Sequence, residues 1–409
     1  MKVLYFHQHF STPSGAAGTR SYEMAKRLIS HGHHVTMVCG SYSGGETGLK
    51  NDFIKGVRKG VVDGIHVVEF KLNYSNQDGF MTRTLLFLSF AVKSIQVAMF
   101  ENYDLLFATT TPLTAAIPGI FAKLIRRKPF VFEVRDLWPE LPKAMGVIKN
   151  PIVLGLMSFL EWTAYKSADR LIALSPGIKQ GILRIIKDES RVILIPNGCD
   201  IDFFDKKSAA PWRPASINDS DFLAIFTGTH GLANGLGALI KVAEILQKHQ
   251  RYDIKILLVG QGKEKAQLQQ LATNKGLENI VFHDPVSKHQ LTGLTKSANL
   301  GLQILANVPA FYYGTSPNKF FDYLSSGLPV LCNYPGWIAD LITNVKCGVA
   351  VDADDPEAFV LAIENLADNS EQLKPMSLAA KELAVSQFNR EILAEQFVLW
   401  LETSWEKSC

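Results

Sequence analysis

The sequence predicts an α/β protein of two domains, each an open parallel sheet with helices on both faces. Three observations predict it. At 409 residues the chain is too long for one ordinary core and sufficient for two. Short apolar runs alternate with helical patterns, the signature of parallel strands joined by helical crossovers. The alternation also lapses once, near residue 205, and then restarts.

In the first half the expected strands are Val3–Phe6, Val35–Cys39, His66–Phe70, Leu105–Ala108, Phe130–Val134, Leu171–Leu174 and Val192–Ile195. Helical patterns between them include Arg20–Ile29, Ile152–Lys166 and Ile178–Ile186. Residues 205–221 lose apolar character (Lys-Lys-Ser-Ala-Ala-Pro-Trp-Arg-Pro) and read as a linker. Strands then resume at Phe222–Phe226, Ile254–Val259, Ile280–Phe282, Leu300–Ile304, Pro329–Leu331 and Val349–Val351. The expected domains are 1–204 and 222–389, with a last helix, within 390–409, packing back on the first. Ligands of such sheets bind beyond the carboxyl ends of the strands, so two facing edges would form a cleft.

Apolar residues make up 47% and charged residues 20%, which excludes a disordered chain. With 42 Lys and Arg against 39 Asp and Glu, the net charge of +3 gives no argument for nucleic acid as a partner. The five cysteines (Cys39, Cys199, Cys332, Cys347, Cys409) have neither zinc nor redox spacing and suit a reducing compartment. The N-terminal apolar run is too short for a signal peptide and reads as a buried strand. A cytoplasmic location is expected. Neither Ser14–Gly18 nor Gly260–Gly262 has the full dinucleotide-binding glycine spacing, which argues against a nicotinamide or flavin enzyme.

The most informative segment is Gly314-Thr-Ser-Pro-Asn-Lys-Phe-Phe-Asp322, followed by Tyr-Leu-Ser-Ser-Gly-Leu-Pro-Val. Pro317 reads as a first helical residue and Ser316 as its N-cap, and free amides at such an end attract phosphate. Lys319 then stands in the first turn, where the helix dipole disfavours a cation unless an anion binds. Asp322 follows on the same face and suits ribose hydroxyls; the alternative is a surface ion pair with Lys319. Arg135 and Asp136 follow the strand Phe130–Val134, where active-site residues of an open sheet belong; the alternative is an Arg–Asp pair tying a loop. Glu133 belongs on the sheet's other face or pairs with Arg135, and Glu140 falls near. His230 stands in a loop after the second domain's first strand, where a lone histidine also suits a structural role. No His, Asp or Cys set has convincing metal spacing. The runs Asp200–Asp202 and Asp352–Asp354 read as a loop and as the cap of a helix starting near Pro356.

The segment resembles the donor-site motif of the family 4 retaining glycosyltransferases, which have the GT-B architecture. The rest agrees in order: Gly15 to Gly18, Pro196-Asn-Gly-Cys-Asp200, Phe226-Thr-Gly-Thr-His-Gly231 and Val259-Gly-Gln-Gly262. Together with Glu133-Val-Arg-Asp-Leu-Trp-Pro-Glu140 they resemble the WbuB-like branch, amino-sugar transferases of O-antigen and capsule assembly. The resemblance implies Arg135, Asp136 and Lys319 as the catalytic group. It implies donor contacts at Gly15, Gly18, Arg20, Asn197, Gly228, Thr229, His230, Gly260, Thr315, Ser316, Asn318 and Asp322. The family's Glu-x7-Glu pair falls on Gly314 and Asp322, and its pyrophosphate-gripping Arg and Lys fall on Thr229 and Asn234. Lys319 and the helix N-terminus are the candidates to replace that lost charge.

The reading that follows is a retaining glycosyltransferase using a UDP-linked N-acetylated deoxyhexosamine, such as N-acetylfucosamine, as donor. The acceptor is a polyprenyl-diphosphate-linked saccharide; no metal and no other cofactor is expected. A GT-B epimerase or hydrolase, or an inactive nucleotide-sugar-binding module, are the other readings. Residues 81–100 are almost wholly apolar, with Arg83 and Lys93 their only charges. They suit a core helix, an interfacial helix or, least well, a membrane span. With the basic cluster Lys123–Lys128 they place the protein peripherally on the inner face of a bacterial plasma membrane.

Overall fold

The computed structural model describes residues 1–75, 78–205 and 209–406. The chain divides into two compact units. One comprises Met1–Asn197, Tyr313–Ser316 and Glu391–Cys409, the other Gly198–Tyr312 and Pro317–Arg390.

The first unit holds an eight-stranded sheet: β1 (Lys2–Phe6), β2 (His34–Tyr42), β3 (Val57–Val62), β4 (Ile65–Tyr74), β5 (Leu105–Thr109), β6 (Phe130–Val134), β7 (Arg170–Ala173) and β8 (Val192–Leu194). Its order is β3-β4-β2-β1-β5-β6-β7-β8, parallel except for the β3–β4 hairpin. Strands β1, β5 and β6 lie in mid-sheet with both faces covered. They therefore read as apolar runs, in which Glu133 is the only charged residue that is buried. The strand order reverses between β1 and its neighbours β2 and β5, which puts the residues after β1 and β5 at the switch point.

The second unit holds six parallel strands: β9 (Phe222–Thr227), β10 (Ile254–Val259), β11 (Ile280–His283), β12 (Leu300–Gln303), β13 (Val330–Cys332) and β14 (Gly348–Ala350). Their order is β11-β10-β9-β12-β13-β14, so the switch point lies between β9 and β12. Beside them, helix Lys288–Ser297 starts with a capping box in which Ser287 and Gln290 satisfy each other's backbone amides.

Several boundaries differ from expectation. The hairpin strand β3 was not expected, because Val57-Arg-Lys-Gly-Val-Val interrupts its apolar pattern as edge strands do. Residues 198–204 group with the second unit: Asp200 bonds Lys288 and Arg390 there, and the Cys199 amide donates to the Phe388 carbonyl. Of the expected linker, Asp205 ends helix Ile201–Asp205, and 209–221 is bound to helix Lys288–Ser297. Trp212 Nε1 donates to the Gln290 carbonyl at 2.7 Å, and Arg213 to that of Ser297 at 2.5 Å. Residues 206–208 of that linker, and the thiol of Cys409, lie outside the described residues. Cys39, Cys199, Cys332 and Cys347 are buried and free.

The final helix, Arg390–Glu406, contributes Phe397, Val398 and Leu401 to the first unit's core. Phe397 is wholly buried, its ring edge-on to Phe107 at 5.0 Å and 6.5 Å from Tyr5. Phe397→Ala is expected to cost about 3–5 kcal/mol, the usual range for deleting a buried ring. Urea unfolding followed by tryptophan fluorescence measures it; a loss below about 1 kcal/mol would show that this helix is dispensable to the core.

Candidate functional site

In the first unit, polar groups converge beyond β1, β5 and β6 around the Glu133 carboxylate. That side chain is wholly buried and accepts from Arg20 Nε (3.0 Å) and Nη2 (2.8 Å), Thr109 Oγ1 (2.7 Å) and Arg135 Nε (3.1 Å). Burial pushes its carboxyl up, but the Arg20 and Arg135 guanidiniums and these donors outweigh that and hold it below the usual range. Arg20 also donates to the carbonyls of Pro196 and Ile195 and is 1% exposed. Its expected donor contact is therefore corrected: Arg20 is a buried tie between the first helix, β6 and the chain beyond β8.

Arg135 differs. It is partly exposed, held by Glu133, Thr109 Oγ1 (2.8 Å) and Ser21 Oγ (3.0 Å), and its Nη1 bonds no described side chain. Asp136 pairs not with Arg135 but with Thr111, whose Oγ1 donates to it at 2.9 Å. Burial raises the Asp136 carboxyl above its ordinary value. At the switch point stand His7 and His9, both kept neutral at physiological pH chiefly by burial, His9 at about 4. His7 Nδ1, His9 Nε2 and the Gln8 amide have no partner among the described residues. Their sequence reading asked only for metal spacing; their place directly after β1 was the signal that marked them.

Gly15 packs so closely that a Cβ would lie 2.4 Å from Ser11 Oγ, while Gly18, just after the bend at 15–17, is exposed. Asn197 binds Ser316: its backbone amide donates to Ser316 Oγ at 3.0 Å and its side-chain amide to the Ser316 carbonyl at 2.6 Å. Ser316 is thus not the N-cap. The helix runs Asn318–Ser326 with Pro317 at the cap position and no side-chain cap. Its first intrahelical bond, Phe320 N–H to the Pro317 carbonyl at 3.2 Å, leaves the Asn318 and Lys319 amides outside the helical ladder. Thr315 is half-buried and Asn318 exposed.

Lys319 is held in the second unit by two groups. Its Nζ donates to Asn234 Oδ1 at 3.0 Å and lies 4.1 Å from the centroid of the Phe226 ring. No described carboxylate pairs with it, and burial lowers its pKa to about 7. Asn234, at the family's lysine position, thus orients a lysine supplied by another element; its own Nδ2 donates to the carbonyl of the exposed Thr229 at 2.7 Å. Gly228, at φ +145°, lies against Lys319: a Cβ there would be 3.3 Å from Lys319 Cε. Gly260, at φ +153°, lets the loops after β9 and β10 touch, since a Cβ would overlap the Gly228 carbonyl oxygen at 1.8 Å.

Two expectations change here. His230 is wholly buried between the Phe226 and Phe282 rings, both 6.2 Å away, and burial first, then Lys265 and Lys319, lower its pKa to about 4. Its ring is neutral, and neither ring nitrogen has a partner among the described residues. Asp322 pairs with neither Lys319 nor a free surface; it stands 3.6 Å from Lys288 Nζ. Lys288 in turn bonds Asp200, which also accepts from Arg390. Burial raises Asp322, whereas Arg390 and Lys288 overcome burial at Asp200 and hold it at about 2. Asp200 is therefore an internal ion-pair partner. The second Asp-x-Asp run is followed by the actual cap, Asp355, which accepts from the Ala358 amide. Among the described residues no three His, Cys, Asp or Glu cluster as metal ligands do.

The lowered pKa of Lys319 has a definite stability consequence. Between about 7 and its ordinary value the unfolded chain binds the proton that the folded chain lacks, so folding gains stability as pH rises through that window. Wild type is expected to gain on Lys319→Met from pH 7 to pH 9.5, read as the difference in urea midpoints. A pH-independent difference would mean that the ammonium is not destabilised.

Comparison with known proteins adds the family. Residues 17–203 match Glycosyltransferase Family 4 and residues 212–383 match Glycosyl transferases group 1. WcaI of Escherichia coli (strain K12), described as a colanic acid biosynthesis glycosyl transferase, is 23% identical over 415 residues, 97% of this chain and 99% of its own. A sucrose-phosphate synthase from Thermosynechococcus elongatus superposes with a TM-score of 0.77 at 16% identity, covering 99% of each chain. HepE from Anabaena in complex with UDP gives 0.66 at 18% identity, covering 98% of this chain and all of its own. Two parallel α/β units, these matched segments and these likenesses together make the chain a glycosyltransferase of the GT-B fold, with a Glycosyltransferase Family 4 segment followed by a group 1 segment.

Proposed function

We propose that the protein transfers a sugar, with retention of configuration, from a UDP-sugar to a polyprenyl-diphosphate-linked saccharide in surface polysaccharide assembly. The observation that carries the nucleotide diphosphate is Lys319, an ammonium group with no carboxylate partner at the start of a helix with free amides. The names of the relatives support the nucleotide and the polysaccharide setting: HepE is solved with UDP, and WcaI is described for colanic acid biosynthesis. An N-acetylated deoxyhexosamine donor follows from the WbuB-like motifs, and an acceptor on lipid places the work at the inner face of the plasma membrane.

In this reading Lys319 and the Asn318 and Lys319 amides take up the charge of the departing diphosphate, as preorganised donors do. The bond from the anomeric carbon to the UDP oxygen breaks while the acceptor oxygen bonds the same carbon. The acceptor's proton passes to the departing phosphate oxygen, so no separate base is needed. Asp322 holds the ribose through the oxygen turned away from Lys288. Arg135 and Asp136 order the sugar and acceptor, with Nη1 of Arg135 directed to an oxyanion. Asn197, Thr315 and Ser316 serve as backbone scaffold. The charge stabilisation is assigned to side chains and amides, with no metal.

Lys319→Ala is expected to lower turnover of the UDP-sugar by about two to three orders of magnitude, the effect of removing one electrostatic stabiliser. Product analysis with donor alone should show little free sugar, since a hydrolase would release it. Unchanged turnover at saturating acceptor removes Lys319 from the mechanism. Activity should also survive excess EDTA; complete loss restored only by Mg²⁺ or Mn²⁺ would mean that a divalent ion does the work assigned to Lys319.

A further inference from the structure

Three helices of the first unit run side by side: Phe80–Phe100, Ile117–Arg126 and Pro151–Ser167, the middle one packed against both others. They connect β4 to β5, β5 to β6 and β6 to β7, all in one direction across the sheet, so right-handed crossovers put them on one face. A helix on such a face ordinarily buries its apolar stripe and turns polar residues outward. These bury an apolar stripe and expose a second one.

Helix Pro151–Ser167 is apolar nearly all round, yet only Ala164 and Tyr165 are buried. Ile152, Leu156, Phe159 and Trp162 recur at spacings of four, three and three and form one outward stripe, with Ile152 72% and Phe159 64% exposed. Helix Phe80–Phe100 is the one described helix long and apolar enough to cross a membrane. It nevertheless lies on the sheet, burying Phe90, Ala91, Ser94 and Ala98 while exposing Leu85, Leu88 and Val92. Phe90 is wholly buried and belongs to the core. Leu124 and Ile125 of the middle helix are exposed as well.

Basic residues outnumber acidic ones on this face: Glu101 follows the first helix, and Asp169, after the third, is paired with Lys123. The first two helices contain no acidic residue, and the third contains only Glu161, which burial raises to about 7. Exposed Lys149 and Lys166 bracket the Ile152–Trp162 stripe, and exposed Arg127 ends the middle helix. A two-fold pairing of copies through this face would set like charges opposite one another. An anionic lipid surface supplies both what the stripes and what the lysines lack.

We propose that this three-helix face docks flat on a bilayer containing anionic phospholipid, the apolar stripes entering the acyl boundary and Lys149, Lys166 and Arg127 lying at headgroup level. The inference rests on the membrane-side acceptor read above and names the surface that reaches it. The test is flotation of the full chain with vesicles of phosphatidylethanolamine and phosphatidylglycerol, or of phosphatidylcholine alone. Wild type should bind the first at least about tenfold more tightly. Leu156→Asp with Phe159→Asp should weaken that binding by about 100-fold or more, from the lost burial of two large apolar side chains. Because these sites are exposed, the unfolding midpoint and the thermal shift with UDP should stay unchanged. Should that variant unfold, Lys149→Glu with Lys166→Glu serves instead, with an expected loss of about 30-fold. Equal binding to both vesicles, or none by wild type, overturns the proposal, and retained UDP stabilisation would then leave the donor reading intact. A wild-type dimer that the Leu156/Phe159 variant converts to monomer overturns it in favour of a second copy as occupant.

Discussion

Lys319 holds its ammonium against the Phe226 ring and the Asn234 amide oxygen, with no described carboxylate to balance it. Enclosing an ammonium costs free energy, and the depressed pKa of about 7 expresses that cost. The neighbourhood is shaped to accept this. Gly228 leaves room for the lysine's Cε, Gly260 brings the next loop against Gly228, and the Asn318 and Lys319 amides stay outside the helical ladder. An anionic ligand recovers what the folded chain alone does not. The proposed donor site is thus incomplete in charge in the folded chain alone, a common arrangement where stability is exchanged for function.

The first unit manages its buried cations in the opposite way. Glu133 neutralises Arg20 through Oε2 and steadies Arg135 through Oε1, and Thr109 Oγ1 donates to that Oε1 while accepting from Arg135 Nε. Removing a partner from such a set leaves an uncompensated charge, which is far more destabilising than never having built it. Arg20 is consumed by that network, whereas Arg135 keeps one amine outside it. The two arginines look alike in the chain, and their different surroundings separate a fully bonded tie from an arginine whose Nη1 bonds no described side chain.

Much of the architecture was legible because buried parallel strands leave an unmistakable apolar pattern. Phe130-Val-Phe-Glu-Val and Ile254-Lys-Ile-Leu-Leu-Val fall where read, as do the glycines after β9 and β10. The edge strand β3 was illegible because its solvent face carries Arg58 and Lys59. The segment around Trp212 resembled a linker by composition, yet its few large residues anchor it to a helix some 80 positions later, a contact that no local pattern encodes. For the site, the unfavourable position of Lys319 could be read from one helix turn. Its freedom from Asp322 could not, because that depends on Lys288, which arrives from another helix. Likewise a lone His230 between glycines gives no sign of the two aromatic rings that enclose it.

The central claim is that the Lys319 ammonium awaits a diphosphate. Calorimetric titration with UDP at pH 8, in two buffers of different ionisation enthalpy, tests it most directly, because binding an anion must return the depressed pKa toward its ordinary value. From a free pKa of about 7, the account predicts uptake of about 0.9 of a proton per UDP bound, and almost none by Lys319→Met. UDP binding to wild type without proton uptake, or equal uptake by that variant, would contradict it.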